Sequence, residues 1–462
     1  MQPENPLDRR PVLLPDLCIR GGAVLTLDAK WRIFDPGFVA IKDSRIVAVG
    51  PLAEAEQWPA RETLDVSGTL IMPGYVNAHT HISMSPFRGA MEDAPDRLTR
   101  FIFPLENAMV RSKLVYDAAM FTIAEMVRSG TTCFADMYYF EEEVARAADA
   151  AGVRALAGET VVDFPAPDAD RPYGGIERAE RLAKDWKGHP RIRPCLAPHA
   201  PYTVDASHLA EIAVLAEKLD IPVMMHVAEM DSEHARFSAT HGSVLRYLDT
   251  TGILSPRLIA VHMLYLDEED IALAAKRGIS VAHCPVSNAK SGRPICPAWR
   301  LSEAGVSVGL GTDGPLSGNT MDMQTITSMY PKLQKVREHR RDIVPARTAL
   351  YAATMGGAHV LGLSADIGSL EEGKRADIQV VALDDFNVLP VHDWYATAVY
   401  ALQAHNVRDV LVDGRFVLRD GKLQFADERE LKERLLYHAR QSAATIRALQ
   451  PAPMHPHHTA ST

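Results

Sequence analysis

The feature that most restricts how this chain can fold is a rhythm in its middle. Eight short apolar runs recur: residues 69–72 leading to His79, then 131–135, 153–157, 191–197, 221–226, 258–262, 279–283 and 306–313. Longer amphipathic segments lie between most of them, at 112–129, 176–186, 206–219 and 267–277. A strand buried on both faces reads as a continuous apolar run, and the amphipathic helix that follows covers the sheet. By period alone a short apolar run also suits buried helix, so the repetition carries the weight. Eight β/α units in succession predict an α/β chain built on a (β/α)8 TIM barrel.

The two ends read differently. Residues 17–27 and 38–49 are rich in Val, Ile and Thr, the second stretch broken by Lys42-Asp43-Ser44. Similar short strands return at 376–382 and 407–417, the latter with an Asp413-Gly414 hairpin signal. The expectation is one small β-sandwich made from both chain ends, residues 1–66 and 367–424, around a barrel at 67–366. A helix at 425–450 carries Leu431, Leu435, Ala439 and Ile446 on one face, to pack on the body or on a second subunit. Residues 451–462 read as a disordered, His-containing tail. With 462 residues the chain exceeds a single core. A net charge of −10 gives no reason to expect a nucleic-acid or anionic-membrane partner. Five cysteines with no CxxC, and an N-terminus without a signal-like apolar core, predict reduced thiols and a cytoplasmic protein.

Polar residues stand at the C-terminal ends of several runs, where a core position would be apolar. His79 and His81 close the first, two residues apart and so on one side of a strand. His226 closes the fifth, His262 the sixth and Asp313 the eighth. The strand ends of a barrel converge on one site. Three imidazoles and a carboxylate, from His79, His81, His226 and Asp313, suit one divalent ion per chain, Zn2+ or alternatively Fe2+, with a position left for water. Such an ion makes the water a nucleophile. Glu229, three residues after His226, is placed to take a proton from that water and give it to a leaving nitrogen. Asp313 can share the proton, and His262 can orient the nucleophile or polarise the substrate. Singly, each residue has an ordinary reading: a buried structural histidine, an ion-pair partner, a helix cap. Five such residues at four strand ends together point to a metal site.

The surrounding motifs resemble the amidohydrolase superfamily, close to its S-adenosylhomocysteine/5′-methylthioadenosine deaminase and triazine-hydrolase group. The resemblance runs through PGYVNAHTH at 73–81, APHAPY at 197–202, HVAE at 226–229, HCPVSN at 283–288, GTDG at 311–314 and GSLEEGKRADI at 368–378. It implies a mononuclear site, because the fourth-strand motif has His199 where two-metal relatives carry a lysine. It implies that His199 contacts the substrate or its reacting group. It also implies a loop closing over the substrate, with Glu106 on ribose hydroxyls and Arg88 and Arg97 as further contacts. The group's Trp is missing from that loop; Arg97 stands at or near its place, so an aromatic wall is lost and a cation gained. The activity implied is hydrolytic deamination of an amino-substituted heterocycle such as a purine, a pterin or an adenosine-type nucleoside. The alternatives are cleavage of an amide, urea, N-alkylamine or chloride on the same scaffold, and a non-enzymatic relative. The expected partner is a small-molecule substrate, with neither nucleic acid nor membrane, in a homodimer or homotetramer.

Overall fold

In the computed structural model, which describes residues 14–94 and 96–449, the middle of the chain forms an eight-stranded parallel sheet with its strands in chain order. The strands are β1 (Tyr75–Thr80), β2 (Thr131–Tyr138), β3 (Arg154–Val161), β4 (Ile192–Pro198), β5 (Val223–Val227), β6 (Leu258–His262), β7 (Ser280–His283) and β8 (Ser307–Leu310). Helices follow most strands, for example Ser112–Arg128, Ala206–Leu219 and Glu268–Arg277. Asp205 and Asp267 start the latter two by accepting from the backbone N–H of His208 (2.9 Å) and Asp270 (2.8 Å). Val76, Ala78, Ala135, Leu156, Met224 and Val261 pack together inside the sheet. The predicted (β/α)8 barrel is therefore present.

One run is reassigned. Residues 69–72 do not lead the barrel: Thr69–Pro73 pairs antiparallel with Ile378–Ala382 and parallel with Ala23–Leu25. The first barrel strand is the next segment, Tyr75–Thr80. Its apolar character is diluted by Asn77, His79 and Thr80, all fully buried. Asn77 has a reason to be there. Its Oδ1 accepts from Thr312 N–H (3.0 Å) and its Nδ2 donates to Thr312 Oγ1 (2.8 Å), while Asp313 N–H donates to the His79 carbonyl (3.1 Å). These bonds join the first strand to the segment after the eighth, so the barrel closes at the end where the site lies. A Cβ on Gly311 would meet the His79 backbone N and O at 3.0 Å, so any other residue would push the two segments apart by a few tenths of an ångström.

Both chain ends build the small domain, as expected. One sheet holds Arg45–Pro51, Gly37–Lys42, Leu17–Arg20 and Glu62–Asp65 in that order. The other runs Lys422–Leu423, Arg415–Arg419, Val407–Val412, Ile378–Ala382, Thr69–Pro73, Ala23–Leu25, Ile33–Phe34. The stretch 17–27 is thus two strands in two sheets, divided at Gly21-Gly22. The helix Glu428–Leu449 packs on the body: His438 Nε2 lies 2.9 Å and Arg434 Nη1 3.3 Å from the carboxylate of Asp117, on the helix Ser112–Arg128. Of its anticipated apolar face Leu431 is buried, with His438 and Ser442 beside it. The His-containing tail lies outside the described residues. Among the described residues no helix is long and apolar enough to cross a membrane.

Candidate metal and active site

The histidines are brought together because each sits where a strand leaves the barrel. His79 is in β1 and His81 just beyond it; His226 is in β5 and His262 ends β6. Asp313 lies three residues past β8, and its backbone, like that of His262, is left-handed (φ 60° and 75°). Such conformations cost about 1–3 kcal/mol in a non-glycine residue and concentrate at functional sites. All five side chains are buried. Two sets of three, His79/His226/His262 and His79/His81/Asp313, each place their ligand atoms within 4.8 Å of one another. His79 belongs to both.

The hydrogen bonds fix how the rings face. His81 Nδ1 donates to the Met137 carbonyl (2.5 Å), and His226 Nδ1 to the His199 carbonyl (2.8 Å). Their Nε2 atoms, left with lone pairs, lie only 3.3 Å apart. His79 Nδ1 is against Met224 Sδ at 3.2 Å, and its buried Nε2 has no partner in the protein. Asp313 Oδ1 is 3.4 Å from His81 Nε2 and 3.8 Å from His79 Nε2. Burial, then the neighbouring imidazoles, hold His79 and His226 far below the ordinary histidine value, so both are neutral. Burial would raise the Asp313 carboxyl, but the imidazoles of His81, His262 and His226 outweigh it and keep it below the usual range. Unprotonated nitrogens converging with an ionised carboxylate repel one another unless a cation lies between them. This donor set fits a divalent ion of the zinc type. Asp136, to which no pattern in the sequence points, holds the turn in place: its Oδ1 accepts from Thr80 Oγ1 (2.6 Å) and Ile82 N–H (2.8 Å), on either side of His81.

Glu229 lies beside this cluster, its Oε1 3.6 Å from His262 Nε2 and ion-paired with Arg293. Burial pushes its carboxyl up; His262, Arg293 and His226 more than reverse that. Asn288 Nδ2 approaches His262 Nδ1 at 3.1 Å, leaving Nε2 to face Glu229. Neither Arg293 nor Asn288 is singled out by the sequence: Asn288 stands inside the HCPVSN motif, whereas Arg293 is one arginine among many in a loop. His199 is buried and pushed down to about 3 by burial and then by His81 and His262. Its Nδ1 contacts Thr203 Oγ1 at 2.9 Å.

A cavity of about 990 Å3 opens over the cluster. It is lined by His81, His199, His226, Glu229, His262 and Asp313, and also by Glu106 and Arg97. Burial pushes the Glu106 carboxyl up to about 8, and its Oε1 has no partner in the protein. Arg97 reaches the cavity but is occupied: Nη2 donates to the carbonyls of Ala90 (2.8 Å) and Leu316 (2.7 Å), strapping the loop after β1 to the loop after β8. Arg88 is not among the lining residues. It pairs with Glu125 at 2.5 Å, on the helix Ser112–Arg128, which removes it from the expected substrate contacts.

Comparison with known proteins places this geometry in a lineage. The model of the amidohydrolase family matches residues 70–417. A 5-methylthioadenosine/S-adenosylhomocysteine deaminase of Syntrophobacter fumaroxidans is 41% identical over 429 residues, covering 92% of this chain and 98% of that protein. The crystal structure of an adenosine deaminase from Xanthomonas campestris, with bound zinc, superposes with a TM-score of 0.90 at 37% identity, covering 94% of this chain and 99% of that one. A triazine hydrolase variant superposes with a TM-score of 0.83 at 21% identity, over 92% of this chain and 99% of its own, a likeness of fold. From a family match over three quarters of its length and from relatives aligned nearly end to end, the chain belongs to the amidohydrolase family.

Proposed function

We propose that this chain is a metal-dependent aminohydrolase that converts an adenosine-type nucleoside and water into the corresponding 6-oxo nucleoside and ammonia. The observation that carries the reading is the placement of Glu229 and His262, 3.6 Å apart, beside converging neutral histidines at the floor of one cavity. His79, His81, His226 and Asp313 are the residues that would hold the ion, zinc by analogy with the Xanthomonas campestris structure or else Fe2+. When bound there, the ion supplies Lewis acidity that makes water a competent nucleophile near neutral pH.

The protein's own groups do the rest. Glu229, kept ionised by His262 and Arg293, is ready to accept the proton of the attacking water. It gives that proton to the ring nitrogen as the water oxygen bonds to the ring carbon; it then takes the water's second proton from the hydroxyl of the adduct and passes it to the amine, which leaves as ammonia while the 6-oxo group forms. Asp313, likewise ionised, shares the first proton. His262 Nε2 orients the nucleophile against the ring carbon. His199, neutral and buried, contacts the ring. Glu106, its Oε1 without a protein partner, takes the ribose hydroxyls. The relatives named above act, by their names, on 5-methylthioadenosine, S-adenosylhomocysteine and adenosine, which share a 6-aminopurine on ribose. A cytoplasmic homodimer or homotetramer completes the proposal; five free, buried cysteines accord with a reducing compartment.

The test is ammonia release by zinc-loaded protein from adenosine, 5-methylthioadenosine, S-adenosylhomocysteine, guanine and an amino-triazine. Release is expected from the nucleosides. Glu229→Gln should lower kcat about 10²- to 10⁴-fold, the range of general acid–base catalysis, with metal content unchanged. Fully metallated protein that releases no ammonia from any of them would overturn the reading.

A further inference from the structure

Arg97 lines the cavity without offering it an apolar face, its Nη2 donating to the carbonyls of Ala90 and Leu316. A heterocycle in this cavity still needs an apolar face to lie against. Four aromatic side chains other than histidine line the cavity: Phe103, Tyr138, Tyr139 and Tyr265. Tyr138 and Tyr139 are almost wholly buried and pack on one another, ring centroids 5.2 Å apart. Tyr265 has one face covered by the ring of His234, stacked at 4.8 Å, and its hydroxyl bonds to Asp231. Phe103, like Tyr265, is half-buried, but no neighbouring ring stacks on its face and it has no hydroxyl to satisfy. Its ring is braced by Phe164 at 5.2 Å and meets His199 edge-on at 5.5 Å.

Position on the helix Phe103–Met109 adds a second argument. Phe103 and Glu106 are three residues apart and share a helix face, so both reach the cavity from one turn. Glu106 offers a buried carboxyl whose Oε1 has no protein partner. His199 in turn lies 4.9 Å from the ring of His226. An aromatic ring, a hydrogen-bonding carboxyl and the metal-binding cluster are thereby set within a few ring widths of each other.

We propose that Phe103 is the specificity-determining residue on which the substrate's heterocycle packs. The proposal rests on the aminohydrolase reading above for the identity of the ring. Phe103 contributes to binding ahead of chemistry, so its loss falls on KM rather than on kcat.

The experiment compares zinc-loaded wild type with Phe103→Ala, Phe103→Leu and Phe103→Trp. KM and kcat are measured with adenosine, and the affinity for inosine, which has the ring but no amino group to lose, by calorimetry. Melting temperature and zinc content establish that each variant is folded; Phe103→Leu keeps an apolar side chain should Phe103→Ala fail to fold. The expected result is a KM about three- to tenfold higher in Phe103→Ala, the scale of one aromatic contact, with a matching loss of inosine affinity, an intermediate Phe103→Leu, and recovery in Phe103→Trp. Unchanged KM and inosine affinity in folded Phe103→Ala and Phe103→Leu would overturn the proposal while leaving the deaminase intact. If wild type releases no ammonia, the inosine titration still decides: weaker binding in the variants supports Phe103 as the ring contact, and equal or absent binding overturns it.

Discussion

At the scale of single residues the site is built from groups whose protonation is set by their neighbours. Glu229, partly buried, and Glu106, wholly buried, line one cavity, yet they diverge. Glu229 has His262, Arg293 and His226 around it and stays ionised. Glu106 has only the Tyr138 hydroxyl against the cost of burial, and it rises to about 8. A group held neutral can both donate and accept hydrogen bonds, which suits recognition of sugar hydroxyls. It also leaves a mark on stability. An unfolded glutamate titrates near about 4.3. Between that value and the folded one, the folded chain keeps a proton the unfolded chain has lost, so stability falls as pH rises through this window. Glu106→Gln removes the titration. The melting temperature of the variant relative to wild type should therefore climb steadily from about pH 5 to about pH 8. A difference that stays flat across that range would mean Glu106 is already ionised in the fold.

At the scale of elements, what positions the ligands is the seam between the first and eighth β/α units. Two bonds from Asn77 to Thr312 and one from Asp313 to His79 carry the barrel's closure to the level of the site. Asn77→Ala leaves the buried Thr312 N–H without its acceptor, while the hydroxyl keeps its bond to the Asp313 carbonyl, a loss of about 1–3 kcal/mol in stability. It also loosens Asp313 from the His79–His81 turn, so zinc should dissociate more readily; unfolding in denaturant and competition with a chelator measure the two effects. The alternation of apolar runs and amphipathic helices made the barrel legible in the sequence, and polar residues at run ends pointed to the side chains that converge at one end of it. The exception is the first strand. Asn77, His79 and Thr80 interrupt its apolar pattern because each has a task in the site or the seam, so the more apolar 69–72 stood out instead, although it pairs in the small sheet. Arg88 was misplaced for a related reason: a loop arginine's partners are set by tertiary placement, and here the partner is Glu125, whereas Arg97 does reach the cavity. Arg293 and Phe103 share that limit, since neither has a spacing that announces it.

At the scale of the whole molecule the question is what ties the small domain to the barrel. The answer centres on Arg154, the first residue of β3, at the end of the barrel away from the metal cluster. Its guanidinium donates to Asp377 Oδ2 (3.0 Å, from Nε) and Oδ1 (3.1 Å, from Nη2), and to Asp413 Oδ1 (2.8 Å). Asp377 precedes one strand of the small domain and Asp413 turns its hairpin; both are buried. The Asp377 carboxylate also accepts from the Asp413 N–H at 2.9 Å. Arg154 thus neutralises the buried Asp377 and shares Asp413 with Arg375, whose Nη1 lies 3.4 Å from the same Oδ1. Removing Arg154 alone is the damaging change, because the carboxylates stay behind. Arg154→Met should cost about 3–5 kcal/mol and lower the melting temperature. Adding Asp377→Asn and Asp413→Asn to the same chain should restore much of the loss, since the uncompensated charge goes while an amide oxygen at position 377 can still accept from the backbone. The opposite end of the barrel carries the chemistry, so kcat measured well below the melting temperature should be close to wild type in both variants. A triple variant no more stable than Arg154→Met would show that the junction depends on the shape of the guanidinium rather than its charge. A fall in kcat at low temperature would show that strain at the bottom of β3 reaches the metal site.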